Sequence, residues 1–486
     1  MRKKYMYRLF LVLIFMVWCP LRGQDTHYWT NQFGTRSALM SGAVVGGIFD
    51  NTMIYYNPGA LGFLENTSIT VNANAYRFET IVIENALGQQ ADFKSKKIGS
   101  LPLLAGGMIN LKNRRLKIGY GFLSPVDFDF KGIARTEGVA EVLNNIDSPG
   151  EEEYVGETSI SSSLKELMVI LGGGYKISDH FSVGLSNIVT ARVRSYSRSW
   201  SAYVFANNPE LRLVGRDAAQ NVEYFNFRYS VKLGMFYVRG PWRWGLTLTS
   251  PSINLGGEGT TASKVALRNA VIEGRDERIT GLGTARQKLT STFKSPFSAA
   301  LGVNYRDEHF GFGVAVQYYD AIDIYNVLDP KPGTFIRPAE LAPALDGQFA
   351  LSTPEGAKSV FNVALGYEHF LNERLTLYLS GRTDNSFFNA QTNRMGGIET
   401  SISSWDLYHL TGGMTLRKGG SQISFGLLFS GGADDSYIQQ GNISIPTEKN
   451  LLRDTFYITK AEYSSWGFLI GFTYSFLNAE KKEEAK

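Results

Sequence analysis

Between residues 67 and 476 the chain is a succession of short segments in which large apolar residues alternate with small or polar ones. In 464–476, Trp466, Phe468, Ile470, Phe472, Tyr474 and Phe476 share one face, with Gly467, Gly471, Thr473 and Ser475 between them. Phe310, Phe312, Val314, Val316 and Tyr318 repeat the pattern against Gly311, Gly313, Ala315 and Gln317. Phe297, Ala299, Leu301, Val303 and Tyr305 do so again, as do Phe361, Val363, Leu365 and Tyr367. A period of two is that of a β-strand. Large aromatics set opposite Gly, Ser and Thr fit side chains that meet lipid on one face and line a polar lumen on the other.

About fourteen such segments can be placed. They lie near 67–79, 101–111, 115–129, 164–176, 180–194, 223–238, 242–255, 286–305, 309–325, 359–370, 373–384, 407–418, 420–431 and 464–476. The joints 112–114, 176–179, 239–241, 307–308, 372 and 419 are short and carry turn residues, whereas those at 80–100, 130–163, 195–222, 256–285, 326–358, 385–406 and 432–463 are long. Strict alternation of short and long joints predicts an all-β fold, a transmembrane antiparallel β-barrel with tight turns on one side and loops on the other. An even strand number places both chain ends on the turn side, the periplasmic side of a bacterial outer membrane.

Composition agrees. The hydrophobic fraction is only 43% in 486 residues, and after the N-terminus no apolar run is long enough to span a membrane as a helix. The single long apolar run, residues 9–18, follows Arg2, Lys3, Lys4 and Arg8, which reads as a secretory signal peptide over 1–23. Cys19, the only cysteine, follows Trp18, which is too bulky for a lipidation site; its removal leaves no thiol for disulfides or metal. Cleavage also takes five of the 49 basic residues and no acid, leaving 44 against 45 acidic ones. The positive net charge belongs to the precursor, so nucleic-acid binding has no electrostatic support.

The segment 24–66 holds Gly34, Gly42, Gly46, Gly47, Gly59 and Gly62 among aromatics such as Phe33, Tyr55 and Tyr56. It is too polar to span and too apolar to float free. Irregular backbone at membrane depth is tolerated where protein surrounds it, so the segment is expected inside the barrel as a hatch, the alternative being an extension on the periplasmic rim. Its run Asp50-Asn51-Thr52-Met53-Ile54-Tyr55-Tyr56-Asn57-Pro58-Gly59-Ala60-Leu61 resembles the N-terminal hatch of the FadL/TodX family of outer-membrane transporters for hydrophobic compounds. Gly59 stands where the family usually has Ala, and Pro58 fixes φ while Asn57 can hold the turn. The resemblance implies a fourteen-stranded barrel over 67–476, a hatch with Asp50, Asn57, Pro58 and Gly59 at its gate, and a greasy pocket. It also implies sideways exit of an amphiphile such as a long-chain fatty acid through a broken strand.

The third segment supplies a break, because the alternation Leu116, Ile118, Tyr120, Phe122 stops at Ser124-Pro125. Proline cannot donate to a ladder, so Ser124 and Pro125 are candidates for the lateral opening. The same phase points Arg192, Arg194, Arg228, Lys232, Arg243, Arg382 and Arg417 inward against Glu368; Arg192, Arg194, Arg228, Lys232 and Arg382 are the candidates to bind a carboxylate head group. Neither cofactor nor metal is expected. The five histidines are scattered, and only His409, near Asp406, suggests a hydrolase, so no enzyme is expected. The expected partners are a hydrophobic or amphiphilic small molecule, outer-membrane lipid, and the barrel-insertion machinery during biogenesis. Phe476 would end the last strand ahead of a short periplasmic tail, 477–486. A second class keeps the barrel but makes it a surface scaffold for secreted proteins.

Overall fold

The computed structural model describes residues 25–47, 50–64, 68–71, 74–102, 105–109, 115–271, 277–338, 346–418, 421–449, 451 and 455–475. The expected signal segment, Phe476, the tail and the joints 112–114 and 419 lie outside the described residues.

The alternating segments extend and pair as fourteen crossings, several of them interrupted. The first six are β1 (Ser68–Val71) with β2 (Asn74–Ile83), β3 (Phe93–Pro102) with β4 (Ala105–Ile109), β5 (Leu116–Leu123) with β6 (Asp127–Ala140), β7 (Glu152–Lys176), β8 (Phe181–Phe205) and β9 (Leu213–Arg239). Next come β10 (Trp242–Thr249) with β11 (Ile253–Ala270), β12 (Ile279–Thr290) with β13 (Ser298–Arg306), and β14 (Phe310–Tyr319). A long connection then carries β15 (Ile322–Asn326), β16 (Ile336–Arg337) and β17 (Pro354–Ala357). The last five are β18 (Val360–Phe370), β19 (Leu375–Asp384), β20 (Leu407–Lys418), β21 (Ser421–Ile438) and β22 (Ile458–Ser475). All but β15 and β17 join one antiparallel sheet of 20 strands. The first crossing pairs with the last, Ser68 opposite Ser475 and Val71 opposite Phe472.

The tight turns form where expected and are closed by side chains. Asp307 Oδ1 accepts from the backbone amides of His309 at 2.8 Å and Phe310 at 2.9 Å, and Asn372 Oδ1 accepts those of Arg374 and Leu375, both at 2.9 Å. The long joints differ from expectation. Much of 130–163, 195–222 and 256–285 is strand, and β7, β8 and β9 run for 25, 25 and 27 residues. About 9–11 tilted residues cross a hydrocarbon layer, so most of each strand projects beyond it. On the projecting parts the outward positions turn polar, as in Ser159, Ser161 and Ser163 opposite Ser199, Ser197 and Ser195, while Ile160, Leu164, Tyr196 and Val204 on the other face are buried.

One face of the sheet exposes the apolar rows. Trp466 is 60% exposed and Phe468, Ile470 and Phe472 about half exposed, while Leu469 on the other face is buried. At the turn ends the exposed rings touch in a belt, with centroids 5.0 Å apart for Trp242 and Tyr305, 5.8 Å for Tyr305 and Phe312, and 6.2 Å for Phe310 and Tyr367. Such a girdle marks the level of a membrane interface.

The opposite face is covered by the N-terminal segment, which forms α1 (Thr35–Leu39), α2 (Met53–Tyr56) and a 3-10 turn (Pro58–Phe63). Its backbone rests directly on glycines of the sheet. A Cβ at Gly184 would collide with the Pro58 carbonyl, one at Gly245 with that of Val45, and one at Gly313 with that of Ala43. These positions fall in register as Gly174↔Gly184↔Gly234, Gly245↔Gly302 and Gly313↔Gly366. Gly184→Val should therefore lower the thermal midpoint of the purified protein by the equivalent of about 1–3 kcal/mol. Gly412→Val is the control: it faces outward, a Cβ there meets only Tyr378 O at 4.0 Å, and the midpoint should not move. Heat-dependent gel mobility reads both.

Candidate functional site

The hatch motif is a knot of hydrogen bonds. Asn57 Nδ2 donates to Val45 O at 3.0 Å and to Met235 O at 2.9 Å, and its Oδ1 accepts from the Gly59 amide at 3.0 Å. One buried side chain thus ties two stretches of the N-terminal segment to β9. Pro58 opens the 3-10 turn, where its missing N–H costs nothing, and Gly59 lies against the Gly234 carbonyl. Asp50 Oδ1 accepts from the Thr52 amide at 2.8 Å and holds the turn into α2.

Ser124 and Pro125 interrupt the strand between β5 and β6, both of which pair with β7. Ser124 Oγ donates to Glu166 O at 2.9 Å, and Asn31 Nδ2 of the N-terminal segment donates to Pro125 O at 3.0 Å. Beyond the break β3 and β6 meet at a seam, where buried Phe93 packs against Phe130 with ring centroids 6.1 Å apart. Among the described residues β6 forms a ladder only with β7, and β3 only with β2. Across this seam run side-chain contacts: Lys97 Nζ reaches Asp127 Oδ1 at 3.1 Å and Asp129 Oδ2 at 2.8 Å, and the Lys131 amide donates to Ser95 Oγ at 3.1 Å.

Of the inward cations Arg192, Arg194, Arg228, Lys232 and Arg382 are buried and Arg243 and Arg417 half-buried, and most have partners. Arg192 and Arg228 share Glu166 Oε1 at 2.8 and 2.7 Å, and their guanidinium carbons lie 3.7 and 5.1 Å from the Phe293 ring centroid. Arg194 donates to Thr400 O and lies 3.6 Å from Asp25 Oδ2. Arg382 donates to Trp29 O at 3.1 Å and Thr30 O at 3.0 Å. Lys232 Nζ donates to Tyr55 O at 2.6 Å and sits 4.5 Å from the Tyr55 ring centroid. Of the remaining candidates, Glu368 pairs with Arg36 at 2.7 Å and Arg417 donates to Thr376 Oγ1 at 2.8 Å. Arg382, Lys232 and Glu368 thus hold the N-terminal segment. Arg192, Arg194 and Arg228 cluster towards the loops. Glu166 went unnoticed in the sequence, although the outward phase of Leu167, Val169 and Leu171 puts it on the covered face.

Two cavities follow the covered face. The larger, about 750 Å³, lies among the loops and is lined by Tyr196, Trp200, Phe388 and Tyr437. The smaller, about 150 Å³, reaches from Pro125 and Val126 past Tyr28, Tyr55 and Phe293 to Arg228 and Lys232. Its lining carries charge as well as rings, unlike the greasy pocket that the family resemblance implies.

His409 does not meet Asp406, whose Oδ1 accepts from the Ser386 amide at 2.9 Å. Its Nδ1 lies 2.7 Å from Ser430 Oγ and its Nε2 3.9 Å from Asp384 Oδ2. This Ser-His-Asp group is buried, lines neither cavity, and spends Asp384 on the Trp29 amide at 2.9 Å. The arrangement packs the N-terminal segment in place and leaves no room for a substrate.

No protein-family model matches the chain, and no curated protein matches its sequence. Solved structures do. A FadL homologue of Pseudomonas aeruginosa aligns over 93% of this chain and 100% of its own with a TM-score of 0.59 at 12% identity. The toluene transporter TodX of P. putida aligns over 92% and 99% with a TM-score of 0.58, also at 12% identity. The Ralstonia pickettii toluene transporter TbuX aligns over 92% and 99% with a TM-score of 0.53 at 13% identity. The chain has the fold of these proteins along nearly its whole length.

Glu166 is the one acid between two buried guanidiniums, and removing its charge leaves them facing each other. Glu166→Gln should cost about 3 kcal/mol of stability, within the range for breaking a buried pair. Adding Arg192→Met to it should restore part of the loss. Thermal unfolding of the three proteins followed by intrinsic fluorescence checks the order.

Proposed function

We propose that the chain is an outer-membrane channel for passive uptake of hydrophobic or amphiphilic small molecules, in which residues 25–64 are a hatch within a barrel and the cargo leaves sideways. The observation that carries this reading is the seam between β3 and β6. It has no backbone ladder among the described residues, it opens at the Ser124-Pro125 break, and the smaller cavity reaches Pro125 and Val126. A molecule in that cavity is one strand break away from the lipid face.

The hatch bears on the same place. Asn31 donates to the Pro125 carbonyl, and Tyr55 of the hatch lines the cavity, so a shift of the segment moves the gate and the binding site together. The known fold points the same way: the neighbours named toluene transporters share it at full length. The apolar outward rows and the ring belt suit contact with outer-membrane lipid, and the signal segment suits export followed by assembly through the barrel-insertion machinery.

Locking the seam tests the reading. The only native cysteine is Cys19, in the expected signal segment, so Lys97→Cys and Asp129→Cys supply the sole thiols of the exported chain. Cells expressing the double variant are given radiolabelled oleate, toluene and benzoate before and after a short bismaleimide joins the two sites. Uptake should drop to the level of cells lacking the protein after cross-linking, with single-cysteine controls unaffected. Full uptake through the cross-linked protein would sink sideways exit. Should none of the three compounds enter faster than in cells without the protein while an exported protein co-purifies with it, the chain is a scaffold instead.

A further inference from the structure

Resting on the uptake reading, we infer that the smaller cavity selects a single-ring aromatic acid, its carboxylate held by Arg228 and Lys232 and its ring by the surrounding aromatic side chains. Size comes first. The cavity holds about 150 Å³, the size of an apolar cavity engineered in a lysozyme core that binds benzene. One ring fills such a space, and a long acyl chain does not fit in it.

The lining matches a ring in kind. Tyr28, Tyr55, Phe293, Tyr319, Tyr325 and Phe387 surround the space. Tyr28 is already stacked between Tyr319 and Phe387, with centroids 4.1 and 4.5 Å away, so this wall is rigid before any ligand arrives. Flat, preformed aromatic surfaces favour an offset-stacked or edge-on guest ring over a flexible chain.

The charge of the site calls for an anion. Arg228 is 7% exposed; its Nε donates to Ser295 Oγ and its Nη2 to Glu166, both at 2.7 Å. Its Nη1 is buried with no hydrogen-bond partner among the described residues. A buried, unmatched donor of a charged group is costly, and a ligand oxygen would satisfy it. Glu166 already serves Arg192 as well, so one carboxylate stands between two guanidiniums. Lys232, also 7% exposed, has no acid paired with it among the described residues and gives its proton only to the Tyr55 carbonyl.

The other charged groups of the lining leave this surplus in place. Asp25 is taken up by Arg194 and by the amides of Ile402 and Ser403 at 2.9 and 2.8 Å. Glu355, on β17 of the connection between crossings, is pushed up to about 7 by burial, so it is partly protonated at neutral pH and opposes an anion only weakly. Lys294 adds a further cation over the Tyr325 ring. A neutral hydrocarbon such as toluene would leave Arg228 Nη1 unsatisfied, and a site built around polar groups discriminates strongly against a ligand that leaves them unpaired.

The full-length protein in lipid nanodiscs is dialysed to equilibrium against radiolabelled benzoate, toluene or decanoate, with empty nanodiscs as the blank. Benzoate should bind at least tenfold more tightly than toluene or decanoate. Lys232→Met and Arg228→Gln should each weaken benzoate by tenfold or more and leave toluene unchanged. Toluene or decanoate binding as tightly as benzoate overturns the inference in the wild-type protein alone, whatever the variants do. So does a folded Lys232→Met protein with unaltered benzoate affinity. Uptake of toluene or oleate without benzoate binding sinks this inference and spares the uptake reading, whereas neither binding nor uptake of any of these compounds removes both.

Discussion

The closest constraint in this molecule is backbone against backbone: at several points the N-terminal segment meets the sheet with only glycine between them. A row of large inward residues would have filled that face with side chains, in the way that small barrels fill theirs. Instead Gly184, Gly234 and Gly245 bring the wall within reach of the Pro58, Gly59 and Val45 main chain. The segment has only two short helices and one 3-10 turn of its own. Most of its polar backbone must therefore find partners elsewhere or stay unpaired in a buried place. Glycine allows the approach, and side chains such as Asn57, Arg382 and Ser182, which donates to Gly59 O at 2.6 Å, then supply the partners.

A segment held this way is tight in one region and easier to shift in another. Around Asn57 the contacts are short, buried and involve neighbouring backbones, so a displacement breaks several at once. Near Asn31 the link to the wall at the break is one side-chain amide on the Pro125 and Ser124 carbonyls, at 3.0 and 3.5 Å, beside the gap between the β5 and β6 ladders. The seam beyond it is spanned by Lys97 and its two aspartates, all between about a fifth and a third exposed. Partly exposed ion pairs contribute little to stability, about 1 kcal/mol or less. Movement thus costs least where the cavity, the strand break and the lipid face meet.

The sequence made the outward face legible because lipid demands apolar residues and the strand period puts them at every second position; Trp466, Phe468, Ile470 and Phe472 are plain to see. It also marked the break at Ser124-Pro125, because proline has a local effect on the ladder. It was silent on the other side of the seam. Nothing in 93–102 signals that β3 lacks a partner there, since pairing is a property of two segments and not of one. The projecting halves of β7, β8 and β9 were hidden for a different reason. There the outward positions carry Ser and Glu instead of large apolar residues, so the outward apolar row that marks the other segments stops, although Ile160, Tyr196 and Val204 stay buried on the covered face. Inward cations such as Arg192 and Arg228 could be assigned to a face by phase, but their shared acid, Glu166, and the neighbouring Phe293 come from separate strands and a loop.

A wall with an apolar outer face and a charged cavity separates two requirements that a purely greasy channel would merge. The outward face presents Leu, Ile, Val, Met, Phe, Tyr and Trp. Inside, Glu166, Arg192 and Arg228 are paired with one another and hydrogen-bonded, which a buried charge needs in order to persist. On the proposed route an amphiphile moving from the cavity to the seam would leave these charges and meet Lys97, Asp127 and Asp129 before it met lipid. Its polar end is therefore never stranded in an apolar medium along that path. Its apolar end passes from Phe293 and the tyrosines to the exposed face of the sheet. On the proposed route selectivity rests on the fit of ring and charge inside, and release rests on a seam with no backbone ladder among the described residues.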